Sequence, residues 1–118
     1  MGRRGRERAK QNALSAPVTE YRDAEGNVLS LRGALTPATR RTYTDTLTGG
    51  LHQEDARARA IEMLFERLAV CWTISDIETT RQKELLARYR LATAAEREFV
   101  LASLRTHVAE NFPELEIP

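Results

Sequence analysis

His52, Cys71 and His107 are the side chains best suited to metal or nucleophilic chemistry, and their placement in the sequence argues against both. A zinc site draws clustered His, Cys or acidic ligands, usually as pairs a few positions apart. These three stand alone. A nucleophilic Cys71 would need a neighbour that stabilises its thiolate. It lies instead between Val70 and Trp72, the setting of a buried structural thiol. Glu62 and Glu66 are one helical turn apart, and paired carboxylates can do acid–base work. Arg59 and Arg67 flank them, so the pair reads as a solvated charged face. Gly49-Gly50 lacks the Lys-Ser/Thr sequel of a phosphate loop. The residues therefore offer no catalytic set, no metal ligands and no cofactor site, and the chain reads as a non-enzyme.

The charge is unevenly spread. Arg3, Arg4, Arg6, Arg8 and Lys10 stand against Glu7 in residues 1–10, a net +4, which leaves −3 on the rest of a chain whose total is +1. Residues 1–16 read as a disordered basic arm with almost nothing large and apolar to bury. Such arms meet nucleic acid or acidic protein surfaces. The body is net acidic and no helix carries a basic stripe, so nucleic acid is the less favoured partner. One cysteine excludes an internal disulfide. No apolar run approaches the ~20 residues of a membrane span, and no apolar h-region follows the basic start, so it does not read as a secretory signal.

The elements that would position these residues are mainly helical. Residues 17–33 predict a β-hairpin: Val18, Tyr21, Val28, Leu29 and Leu31 flank Asp23-Ala24-Glu25-Gly26-Asn27, where Gly26 and Asn27 can supply a tight turn. Thr36-Pro37 opens a first helix that stops at Gly49-Gly50. A second helix is expected over 52–73, with Ile61, Leu64, Phe65, Leu68 and Trp72 as one stripe. A third is expected over 76–91, started at Ser75-Asp76, and a fourth over 94–111, opened by a Thr93–Glu96 capping box. The expected fold is mainly α: a small bundle of about four helices over residues 34–118, preceded by the hairpin and the arm.

On a helix spanning 52–73, Met63 and Val70 would lie nearly opposite the Ile61–Leu68 stripe, at 100° per residue. That would give the helix a second apolar face, either buried in the bundle or exposed as a seam for a partner or for self-association. Phe99 would similarly project away from the Val100–Leu104–Val108 face. Met63, Val70 and Phe99 are thus the candidate partner-binding residues, with the basic arm as a second contact element.

Four segments carry a family resemblance: Leu31-Arg32-Gly33-Ala34-Leu35-Thr36-Pro37, Glu54-Asp55-Ala56-Arg57, Phe65-Glu66-Arg67-Leu68-Ala69-Val70, and Arg81-Gln82-Lys83-Glu84-Leu85-Leu86-Ala87-Arg88-Tyr89. Together they resemble tail assembly chaperones of actinobacterial phages and prophages, over roughly residues 28–118. The strong preference for Arg over Lys, with only Lys10 and Lys83 present, fits such a GC-rich source. The resemblance implies a cytoplasmic protein of the bacterial host. It would bind the tape-measure protein, keeping its apolar helices soluble while tail-tube proteins polymerise around it. It carries over no catalytic residues. The arm and hairpin depart from the pattern and leave room for a structural virion subunit, a tail or head–tail connector protein, or for a small DNA-binding regulator.

Overall fold

The computed structural model describes residues 17–49 and 52–118. The arm residues Arg3, Arg4, Arg6, Arg8 and Lys10 lie outside them. In chain order the elements are β1 (Val18–Arg22), β2 (Val28–Arg32), α1 (Pro37–Thr48), α2 (Gln53–Leu68), β3 (Ala69–Ile74), β4 (Ile77–Thr79), α3 (Gln82–Arg90) and α4 (Ala94–Asn111). The four strands form one antiparallel sheet in the order β1-β2-β3-β4. The expected helical bundle behind a hairpin is therefore wrong: this is a small α+β fold, and the β1–β2 hairpin is half of its sheet.

The error has a local cause. Residues 69–74, Ala-Val-Cys-Trp-Thr-Ile, are rich in β-branched and aromatic types that suit a pleated surface. Trp72 follows Leu68 by four residues, a spacing that coincides with the helical stripe. In the structure α2 ends at Leu68, and Ala69 turns to extended backbone at ψ 124° while its N–H still bonds the Phe65 carbonyl. The strand follows with no intervening loop. Ser75-Asp76, expected to start a helix, is instead the two-residue turn between β3 and β4. Both residues have positive φ, 50° and 66°, as the tightest hairpin turns require. The third helix starts only at Gln82.

The two hairpins are joined through Asn27. Its side-chain amide donates to the Asp23 carboxylate at 2.8 Å, and its Oδ1 accepts from the Ser75 backbone N–H at 3.0 Å. Gly26, at φ +85°, takes the left-handed position in the first turn. Burial alone would raise the Asp23 carboxyl. Hydrogen bonds from the Asn27 side chain and from the backbone of Asn27, Glu25 and Gly26 outweigh it and hold the group below its ordinary range.

Strand alternation puts Tyr21, Leu29, Leu31 and Trp72 on the inner face of the sheet. They meet Leu64, Phe65 and Leu68 of α2, Leu85 of α3, and Val100, Leu104 and Val108 of α4 in one core. A bulge leaves Val70 as the extra residue on β3, since Leu31 pairs with Ala69 and Ser30 with Cys71. The outer face carries Glu20, Arg22, Ser30, Cys71, Thr73 and Glu78 and is polar, the usual division of an antiparallel sheet with helices on one side.

Helix α1 is capped by Thr36, whose hydroxyl accepts from the Thr39 N–H at 3.1 Å, with Pro37 at the first helical position. Four threonine hydroxyls bond carbonyls one turn back, from Thr42, Thr44, Thr46 and Thr48. Such back-bonding gives little helix stability. What anchors α1 is Tyr43, fully buried, whose hydroxyl donates to the Glu116 carbonyl. Helix α4 has the full Thr93–Glu96 capping box. Among the described residues no helix is long and apolar enough to cross a membrane.

Candidate protein-docking groove

The residues first considered for chemistry are scattered. His107 is fully buried between α4 and the sheet, and Cys71 is half-buried on the outer face of β3. Burial pushes the Cys71 thiol pKa up, and Glu78 and Glu20 add to it, the opposite of thiolate activation. Glu62 is engaged by the Arg90 guanidinium, with Nε at 3.1 Å. Among the described residues no group of three or more His, Cys, Asp or Glu is placed to hold a metal ion.

The proposed Met63–Val70 face does not exist as one helical face, because Val70 has left the helix. Met63 and Phe99 are half-buried and pack against the core, and Val70 is half-buried at the bulge. The structure thus does not bring these three together. Among the described residues the most exposed large apolar side chains are Leu91, after α3, at 80%, and Ile77, on the edge strand β4, at 72%.

A groove does form where α2, α3 and α4 meet. It has a volume near 360 Å³ and is lined by Arg57, Ala58 and Ile61 of α2, Tyr89 of α3, Arg97, Glu98, Leu101 and Arg105 of α4, and Pro118. Helical geometry sets this lining. Arg57 and Ile61 are four residues apart, and Arg97, Leu101 and Arg105 repeat at four, so each set stands on one face. The floor is apolar and the rim is basic.

The floor is held in place from below. Tyr89 stacks on the buried Phe65 ring, centroids 4.8 Å apart at 23°, a favourable offset arrangement. The Arg97 guanidinium lies over the Tyr89 ring, 5.6 Å from its centroid, and donates to the Arg90 carbonyl at 2.9 Å. Burial raises the Tyr89 hydroxyl pKa; Arg97 opposes this and Glu62 adds to it. Arg105 donates through Nε and Nη2 to the Pro118 carbonyl oxygen at 3.1 and 2.7 Å. Among the described residues, Arg57, Arg97 and Arg105 make no ion pair, and Glu98 is the one acidic residue in the lining.

A larger depression of about 520 Å³ opens between α1 and the start of α2. Asp45, Thr46, His52, Asp55 and Arg59 line it with Gly49 and Ala56, a surface of mixed charge in which Ala56 is the apolar side chain. The smaller groove is the better seat for a partner, because apolar anchors with a polar rim are what protein contacts are built from. Its signal was present in the sequence as the rows Arg57–Ile61 and Arg97–Leu101–Arg105. Charged residues interrupt each row, so neither shows as an apolar stripe. Comparison with protein-family models, with curated proteins and with solved structures finds no match to this chain.

Proposed function

We propose that this chain is a non-catalytic protein-binding protein, a phage tail assembly chaperone that holds the tape-measure protein soluble during tail assembly. The observation that carries the reading is the groove between α2, α3 and α4. Ala58, Ile61, Tyr89 and Leu101 give it an apolar floor, the seat that an amphipathic client helix needs for its apolar face. Its walls are helices and not loops, so the floor is preformed and little ordering cost falls on binding. The test is co-expression with a phage tape-measure protein. A soluble complex is expected, lost on Leu101→Asp in a chain that still melts cooperatively. A client that stays equally insoluble with and without the chain overturns the reading.

One observation favours a second reading, a structural subunit of the virion. Strand β1 sits at the sheet edge with no outer neighbour among the described residues. Pro17 accepts from the Gly33 N–H at 2.8 Å, so the inward bonds alternate from Pro17, and the backbone groups of Val18, Glu20 and Arg22 point outward. An edge of this kind accepts an added strand from a neighbouring subunit. Recovery of the chain in purified particles would favour the subunit; its absence from particles favours the chaperone.

A further inference from the structure

We infer that the groove is selective for acidic partners: it takes a segment whose apolar anchors are flanked by carboxylates. The inference rests on the reading of the groove as a docking site and adds the partner's chemistry to it.

The chain supplies its own template. Residues 114–118, Glu-Leu-Glu-Ile-Pro, alternate acidic and apolar types and lie against α1 and α4. Glu114 pairs with Arg40 at 2.6 Å. Leu115 is buried in the core, and Ile117 packs against it. The Glu116 carbonyl accepts from Tyr43, and the Pro118 carbonyl from Arg105. The helical surface thus already holds an acidic–apolar segment by two means, arginine donors for its oxygens and apolar contacts for its side chains. That segment reaches the groove, since Pro118 forms part of its lining.

Beyond Pro118 the groove repeats the same chemistry. Ile61, Tyr89 and Leu101 supply its apolar lining. Arg57 stands on the α2 side, and Arg97 and Arg105 stand one helical turn either side of Leu101. Arg105 is taken up by the Pro118 oxygen, and Arg57 and Arg97 against Glu98 leave an excess of one positive charge around an apolar floor. An apolar segment with basic flanks would meet like charge on both walls. One with carboxylate flanks would gain ion pairs with the exposed arginines of the rim, each weak alone and screened by salt. Guanidinium suits this role because its planar fork meets a carboxylate with two bonds.

The test uses the full chain and a labelled synthetic peptide of about 18 residues, long enough to hold a helix. It carries leucines four apart and glutamates beside them; two companions carry glutamine or lysine in place of glutamate. Fluorescence anisotropy at low salt is expected to show the glutamate peptide binding about tenfold tighter than the glutamine one, the sum of a few weak pairs. The advantage should shrink as salt is raised. Arg57→Glu, at an exposed position near the start of α2, should shift preference toward the lysine peptide. Equal binding of all three peptides, or an unchanged preference in Arg57→Glu, overturns the inference. Its failure is separable from that of the chaperone reading. A client rescued in co-expression while the peptides bind equally refutes the acidic preference alone. Tight glutamate-peptide binding with no client rescue refutes the chaperone alone.

Discussion

The Tyr21 hydroxyl donates to His107 Nδ1 across 3.0 Å, and this bond ties the edge strand of the sheet to the last helix. Direction follows from the other ring nitrogen. Nε2 lies 2.7 Å from the Arg32 carbonyl oxygen, which can only accept, so Nε2 carries the proton and Nδ1 is the acceptor. The Asn111 amide also approaches Nδ1, at 3.3 Å. His107 is thus a fully satisfied core residue that spans β1, β2 and α4.

Removing one arm of this bridge should cost little and removing its hub should cost much. Tyr21→Phe leaves Nδ1 with Asn111, so a loss of about 1 kcal/mol is expected in urea unfolding. His107→Ala leaves a cavity and orphans the Arg32 carbonyl, and about 3 kcal/mol or more should be lost. Equal effects from the two variants would show that the bridge is not organised around His107.

Alkaline pH should weaken the fold through Tyr43. Burial, with Glu116 nearby, pushes its hydroxyl from 10.0 up to about 12. Between those values the folded chain keeps a proton that the unfolded chain has released. Stability is therefore full below pH 10 and falls as pH rises toward 12, by at most about 3 kcal/mol from this group. Burial also raises Tyr21 and Tyr89, which act in the same direction. Urea midpoints followed upward from about pH 9 should fall, and Tyr43→Phe should flatten that fall.

The β3–β4 turn should be improvable. Ser75 and Asp76 hold left-handed backbone without glycine, at a cost of roughly 1 kcal/mol each. Ser75→Asn combined with Asp76→Gly supplies the residues this turn prefers, and a gain of about 1 kcal/mol, several degrees in Tm, is expected. Gly26→Ala should do the reverse by a similar amount. No atom lies within 4 Å of a Cβ placed there, so its cost is backbone strain alone.

Helix α4 should depend on its first turn. Thr93 Oγ1 accepts from the Glu96 N–H at 3.1 Å, and Glu96 accepts from the Thr93 N–H at 2.8 Å. That backbone bond, helped by Arg88 at 2.6 Å, holds the Glu96 carboxyl below its usual range against the effect of burial. Thr93→Ala should cost about 1 kcal/mol in thermal or urea unfolding. The groove wall built on Arg97 and Leu101 follows directly from this cap.

Elements with strong local chemistry were legible in the sequence. Thr36-Pro37, the Thr93–Glu96 box and the Gly26 turn each satisfy backbone groups within a few residues, and each stands where the sequence placed it. The β3–β4 hairpin was not legible, because its turn contains neither Gly nor Asn and its first strand continues a helical spacing by coincidence at Trp72. Only pairing with β2, some forty residues earlier in the chain, selects strand over helix there. That single change dissolved the Met63–Val70 face. The groove went unread for a different reason: its floor is shared among three helices, so no one helix shows it as a continuous apolar stripe.

Hydrogen exchange of the full chain, with and without the co-expressed tape-measure protein, tests the central claim most directly. The groove account predicts new protection over 57–61, around Tyr89 and over 97–105, with the β1 amides of Val18, Glu20 and Arg22 unchanged. Protection confined to β1, with the groove helices unchanged, would contradict it and assign the contact to the sheet edge.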